Sequence, residues 1–186
     1  EMSVSQIPKV PFQRVVVIGS SGAGKSTFAR RLGAATGLPV THIDQLFWQR
    51  GWVQTPKSLY LERLAAVVAG ECWIIDGVNA STLDFRLPRT DLLIWLERSR
   101  FACLWRVAPR VLASRGRVRP DMAPGCPEQL PDLEFLTYIW TFDARIAPRI
   151  EAAIDRHGMR ARTVRLTSDA AAEAWLASLG AAYPNA

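Results

Sequence analysis

The chain has little of what disulfide-stapled, metal-binding and membrane proteins are built from. Its 186 residues hold three cysteines, Cys72, Cys103 and Cys126, and two histidines, His42 and His157. The cysteines are odd in number and far apart, so no disulfide framework is expected and the setting expected is a reducing cytoplasm. Neither residue type shows metal-ligand spacing. No apolar run approaches the roughly 20 residues needed to cross a bilayer, which excludes a membrane partner. The opening "EMSVSQIPKVPF" lacks the basic start, apolar middle and small-residue cleavage site of a signal peptide, and residues 1–12 read as a tail. Lysine is scarce too: Lys9, Lys25 and Lys57 are the only ones, so the net charge of +6 is carried by arginine. A guanidinium fork matches phosphate oxygens better than an ammonium does. Residues 98–119 hold seven arginines and no acid.

What is present is an alternation of short apolar runs and longer helical patterns. "RVVVIG" (14–19), "PVTHID" (39–44), "CWIIDG" (72–77), "DLLIWLE" (91–97) and "RTVRL" (162–166) read as five strands. The near-continuous hydrophobicity of the first and fourth suits parallel strands covered on both faces, so an open α/β sheet is expected. Helices are predicted over 26–36, 58–69 and 81–86. A fourth aligns Phe101, Leu104, Trp105, Ala108, Val111 and Leu112 on one apolar face. A long fifth runs from an Asp132 N-cap to Gly158, and a sixth covers 169–179. A chain of this length fits one domain, and no repeat or low-complexity segment divides it.

The sequence "GSSGAGKST" (19–27) matches G-x-x-x-x-G-K-[ST] through Gly19, Gly24, Lys25 and Ser26. A chance match in a chain this long is on the order of one in a hundred. Its place between an apolar strand and a helix is the one the mechanism requires. Backbone N–H groups of Gly19, Ser20, Ser21, Gly22, Ala23, Gly24 and Thr27 can face the phosphates of ATP, aided by the helix dipole. Lys25 can reach the β and γ oxygens, and the Ser26 hydroxyl can ligate Mg²⁺. A dinucleotide fingerprint beginning at Gly22 fails, because Thr27 stands where glycine is needed.

The loop alone does not say where the phosphate goes. No D-x-x-G or N-K-x-D pair in the right places supports a guanine-nucleotide switch, and the chain is short for a motor. A kinase needs an acceptor pocket and a means of excluding water. Residues 115–131, with three arginines, four prolines and two glycines, read as a small mobile lid. Arg106 and Arg110 share a helix face, as do Arg145 and Arg149, with Arg110 a candidate for ATP, and Pro109 and Pro148 predict kinks or breaks. Asp44 and Asp76 stand just past apolar strands at the edge where open α/β folds place ligands; such acids can hold Mg²⁺ or accept a hydrogen bond from an acceptor hydroxyl. Phe47, Trp48 and Trp52 either line an acceptor pocket with Asp44 or form core under the second helix.

These segments together, with "RLPRTDLLIWLERSRFACLWRVAPR" and above all "RPDMAPGCPE" and "FLTYIWTF", resemble the adenylate-kinase-like P-loop proteins of the DNA topology modulation protein (FlaR-related) family over about residues 14–150. The resemblance implies a three-layer P-loop NTPase fold of the nucleoside and shikimate kinase type, its five parallel strands in the order 2-3-1-4-5. It also implies ATP with Mg²⁺, a role for Asp76 beside the metal, for Asp44 beside the acceptor, and for Arg115 and Arg119 as lid arginines. Where relatives read Asp-Gly-Asn-Tyr this chain reads Asp76, Gly77, Val78, Asn79, and adenylate kinase's Asp-Gly-Phe-Pro-Arg is absent, which weighs against AMP. The leading expectation is a phosphotransferase acting on a small-molecule acceptor, as monomer or homodimer. A nucleic-acid-associated regulator is the less favoured alternative, and a plain ATPase the third.

Overall fold

The computed structural model describes residues 11–182, with side chains to residue 179, so most of the tail expected over 1–12 lies outside the described residues. β1 (Arg14–Gly19), β2 (Val40–His42), β5 (Trp73–Asp76), β6 (Leu92–Leu96) and β7 (Thr163–Leu166) form one parallel sheet in the order β2-β5-β1-β6-β7. Counting only these strands, that is second, third, first, fourth, fifth, as expected. The central strand β1 pairs with β5 and β6 along its length. Successive side chains of a strand point to opposite faces, and here both faces are apolar. Val15 and Val17 pack with Phe28 and Leu32 of α1 (Lys25–Thr36) and with Leu176 of α8 (Asp169–Ala182). Val16 and Ile18 pack with Leu64 of α3 (Lys57–Ala69) and Ile150 of α7 (Ala147–Arg156). Helices therefore cover the sheet on both sides.

Several helices match the sequence pattern, and the exceptions have physical causes. α5 (Arg100–Ser114), capped by the Ser99 hydroxyl accepting from the Ala102 N–H at 3.2 Å, buries Cys103, Val107 and Val111. Phe101, Trp105 and Leu112, expected on the buried face, are exposed instead. The cause is the close approach of α5 to the phosphate loop: a Cβ on Gly22 would lie 2.4 Å from the Cys103 carbonyl oxygen. Only small side chains fit against that seam. The long fifth helix is two helices, α6 (Leu133–Arg145) and α7, separated at Ile146. Pro148 sits in the first turn of α7, where its missing N–H costs nothing, but it cannot continue α6. Pro109 lies inside α5, which remains one helix.

The stretch after β2 is not a loop. It forms α2 (Ile43–Phe47) and a hairpin of β3 (Trp48–Gln49) and β4 (Val53–Gln54). Residues 115–131 carry almost no regular structure but lie packed on that hairpin, with Met122, Ala123 and Cys126 buried. A short α4 (Leu83–Arg86) follows β5. No helix among the described residues is long and apolar enough to cross a membrane.

Candidate active site

The phosphate loop joins β1 to α1 at the C-terminal edge of the sheet. Gly22 and Gly24, with φ of 86° and 92°, hold the left-handed conformations the loop needs. α1 begins at Lys25 on a Gly24 cap that has no capping side chain, leaving its first-turn N–H groups available to a ligand. The Lys25 ammonium donates to the Ser20 carbonyl at 2.9 Å, folded back along its own loop. Ser26 is half-buried beside it, Ser21 lines the turn, and Ala23 packs inward with its N–H donating to the Ser20 carbonyl at 3.1 Å. Thr27 is exposed. Behind the loop the Cys103 thiol lies beside Ser20, and burial raises its pKa, which suits a structural rather than a nucleophilic cysteine.

Asp76 ends β5, the strand beside β1. His42 and Asp76 are partners in the register of β2 and β5, and His42 Nδ1 lies 2.7 Å from Asp76 Oδ2, both side chains buried. Asp76 Oδ1 has no hydrogen-bond partner. A buried carboxylate oxygen left open beside the Ser26 hydroxyl's loop is a fit for a hard cation. Among the described residues no group of three or more His, Cys, Asp or Glu side chains could hold a metal alone. Mg²⁺ takes one or two carboxylates and fills its shell with phosphate and water.

Asp44 stands in the first turn of α2, not at a strand end, and its side chain is open to solvent. Protein nevertheless crowds the cleft around it, and desolvation is the largest influence on its carboxyl, raising its pKa. Lys25 and Arg119 pull the other way, while Asp76 and Asp121 add to the rise. Because the carboxyl keeps its own exposed surface, water in the cleft mouth offsets part of the desolvation, and only the direction matters here. Lys25, Asp76, Arg119 and Asp121 thus lie near enough to Asp44 to act on its charge, and these five side chains define the candidate cleft.

Arg119 enters that cleft from residues 115–131. Its Nε lies 2.7 Å from Glu128 Oε2 and its Nη1 3.3 Å from Asp121 Oδ2. Arg110 reaches the same Glu128 at 3.2 Å, and burial followed by the neighbouring Arg119 lowers its pKa. Arg106 goes elsewhere, to Asp169, which also binds Arg98 at 3.0 Å. The expectation that Arg106 and Arg110 act together therefore fails, since each is taken by a different acid. Arg145 and Arg149 fall on two helices either side of the Ile146 break and are exposed. Arg115 ends α5 exposed, its backbone bridged to Glu128.

The same segment seats on the hairpin. The Trp52 Nε1–H donates to the Pro127 carbonyl at 3.0 Å, the Gly51 N–H to Gly125 at 2.9 Å, and Gln45 Nε2 to Pro120 at 2.8 Å. Trp52 holds φ 62°, a conformation that L side chains rarely adopt. Its ring meets Trp48 edge-on at 5.5 Å, and Trp48 meets Phe47 at 5.0 Å. Phe47 packs against the core and against Tyr60 of α3 at 5.6 Å. Of the two readings of these aromatics, Phe47 is partly core, whereas Trp48 and Trp52 are half-buried where residues 115–131 close over them.

Five functional candidates were not singled out from sequence. His42 orients Asp76. Asp121 and Glu128 lie inside "RPDMAPGCPE", whose acids signal partners for the arginines around them. Arg86 is fully buried, its Nη1 donating to the Gly77 carbonyl at 2.9 Å and its other donors to Val78, Asn79 and Thr82. It braces the turn that follows Asp76, and burial lowers its pKa to about 10. Tyr138 of α6, within "FLTYIWTF", packs against Phe142 at 5.8 Å, and burial, then the Asp44 charge, raises its hydroxyl to about 12.

No protein-family profile matches the chain. No curated protein matches it either. Among solved structures it is similar to shikimate kinase from Acinetobacter baumannii in complex with shikimate, with a TM-score of 0.57 and 14% identity over 94% of this chain and 95% of that one. It is also similar to a gluconokinase from Sinorhizobium meliloti 1021, with a TM-score of 0.51 and 19% identity over 97% and 96%. At such identities the likeness speaks for the fold: a P-loop α/β fold of the small-molecule kinase type.

Proposed function

We propose that the protein is an ATP-dependent phosphotransferase that moves the γ-phosphoryl group to a hydroxyl or phosphate of a small acceptor. The observation that carries this reading is the cleft itself. A phosphate-loop lysine, an open carboxylate, a metal-ready carboxylate and an arginine from a segment seated over the site converge there, an arrangement a binding protein does not need. Mg²⁺, when bound, would supply charge neutralisation to the phosphates. Ser26 and Asp76 would hold it, with Asp76 oriented by His42. Lys25 leaves the Ser20 carbonyl to meet the phosphates, and Arg119, with Arg110 and Arg115 behind it, faces the charge on the transferring group. Asp44 accepts the hydrogen bond of the attacking hydroxyl and takes its proton, and Trp48 and Trp52 shape the acceptor side. Residues 115–131 act as the lid that excludes water. Catalysis is then positioning and electrostatics rather than covalent chemistry.

The resemblance to DNA topology modulation proteins keeps a nucleic-acid-associated role as the second reading. Its basis is the arginine run 98–119. Four of its seven arginines, Arg98, Arg106, Arg110 and Arg119, are each paired with a carboxylate, which reduces the positive charge free for a phosphate backbone. The test is acceptor-stimulated ADP release across nucleosides, nucleotides, sugars and shikimate-like alcohols. Stimulation by one class, lost in Asp44→Asn, is the expected result; steady hydrolysis indifferent to every acceptor would overturn the reading in favour of an ATPase.

A further inference from the structure

The two helices that flank residues 115–131 present an apolar face to solvent. On α5, Phe101, Trp105 and Leu112 are 67%, 82% and 73% exposed, and Ala108 lies between them. Their spacing of four, three and four residues places them on one stripe, opposite the buried Cys103, Val107 and Val111. On α6, Leu133 and Trp140 are 80% and 46% exposed. The stripes are joined: the Phe101 and Trp140 rings meet edge-on at 5.6 Å, and the Arg100 guanidinium lies 4.9 Å from the Trp140 ring centre. Phe101 is at the start of α5 and Trp140 near the end of α6, so the helices run antiparallel and the face is elongated. These five side chains expose together about 700 Å², above the roughly 300–600 Å² of the largest apolar patch on a typical monomer. A standard interface needs about 800 Å² per partner.

We propose that this α5–α6 face is an isologous interface between two copies of the chain. Charge selects a second copy over the alternatives. No charged side chain stands among the stripe residues Phe101, Trp105, Ala108 and Leu112, so a phosphate-bearing surface would find no cation at the centre of contact. The edges are of opposite sign. On the α5 side Arg106 and Arg110 are held by Asp169 and Glu128, and the unpaired charge is Arg100 with exposed Arg115 and Arg117 just past the helix. α6 opens with exposed Asp132 and Glu134 and carries exposed Asp143, with exposed Arg145 the one base, at its last position. A two-fold arrangement lays α5 of each copy on α6 of the other, burying each aromatic stripe against the partner's α6 and setting the basic side of the face against the acidic one. An anionic membrane would attract α5 but repel the acids of α6. Trp105 at the middle of the stripe is the anchor, as buried tryptophans at interface centres often are.

Sedimentation equilibrium of the full chain over about 1–100 µM is the test. A dimer is expected, with Trp105→Asp and Leu112→Asp each raising the dissociation constant at least about thirtyfold while circular dichroism and thermal midpoint stay as in wild type. Both substitutions lie on solvent-exposed positions, so loss of folding is not expected to obscure the result. A wild type that is monomeric at 100 µM, or a Trp105→Asp chain that dimerises as well as wild type, would overturn the proposal. So would sedimentation of wild type, but not of Trp105→Asp, with phosphatidylserine-containing vesicles in the absence of self-association.

Discussion

His42 Nδ1 lies 2.7 Å from Asp76 Oδ2, across neighbouring strands in register. The imidazole N–H donates to the carboxylate and leaves Oδ1 as the oxygen without a partner. Partners of this kind behind a metal-binding carboxylate are worth 10–100-fold in metal affinity. His42→Phe keeps the ring volume and removes the donor, so the Mg²⁺ concentration for half-maximal ADP release is expected to rise at least about tenfold. His42→Asn, which retains a donor, is expected to recover part of it. Magnesium titrations of turnover decide this, and an unchanged titration in His42→Phe would remove the positioning role.

Asp44 works against the fold that holds it. Its pKa is raised, by desolvation first and by Asp76 and Asp121 after. A carboxyl whose folded pKa exceeds its unfolded value binds more protons when folded, so stability falls as pH rises from the ordinary carboxylate range through the folded pKa, and the loss persists above it. Asp44→Asn removes that loss. The variant is expected to melt higher than wild type at pH 7–8, with the gap narrowing toward about pH 4, and to lose turnover at every pH. In wild type, turnover should fall as pH drops through the raised pKa, because the protonated carboxyl cannot accept the acceptor's proton. Thermal melts and pH–rate profiles of the two chains test both limbs.

What could be read from sequence followed how local the governing physics is. β1 and β6 are legible because burial on both faces writes a continuous apolar run, and the phosphate loop because its glycines, Lys25 and Ser26 must be contiguous. The exposed side of α5 was misread because two apolar stripes share that helix. Which one is buried depends on the clearance at Gly22, a tertiary fact absent from the periodicity. Nothing local marks Arg86, because the four backbone groups around it gather only in the folded turn. The pairing of Arg110 and Arg119 with Glu128, and of Arg106 with Asp169, depends on how residues 115–131 and α8 fold back. No spacing rule along α5 could assign them.

Lys25 and Arg119 should fail differently when removed. In the proposed reaction Lys25 meets the phosphates in ground and transition states alike, and Lys25→Ala is expected to abolish measurable turnover. Arg119 is held by Glu128 and Asp121 on the segment over the cleft, poised for charge that builds during transfer. Arg119→Ala is expected to lower kcat about 100-fold or more with ATP affinity changed less than about threefold. Losing an interaction made only in the transition state depresses kcat and kcat/KM together. Initial-rate kinetics with an identified acceptor, beside nucleotide-binding titrations, make the comparison; equal losses in kcat and ATP affinity would place Arg119 in ground-state binding instead.

Arg86 is the residue on which stability and the site converge. Its fully buried guanidinium satisfies the carbonyls of Gly77, Val78, Asn79 and Thr82, the turn that sets the direction of chain leaving Asp76. Asn79 within that turn has φ 24°, and its side chain donates to the Tyr60 hydroxyl at 2.8 Å, so the turn is strained and braced from two sides. Arg86→Met fills the volume but orphans several buried acceptors, at about 1–3 kcal/mol each. A loss of about 3 kcal/mol or more is expected, lowering the thermal midpoint by roughly 6–12 °C for a chain of this size. Arg86→Lys is expected to rescue little, because a single ammonium cannot span the carbonyls that the planar fork reaches. If the turn also holds Asp76 in place, the variants should need more Mg²⁺ even at temperatures where they are fully folded. Thermal melts combined with magnesium titrations well below the midpoint separate the two effects, and Arg86→Lys behaving as wild type in both would show that charge alone, not the fork, supports the turn.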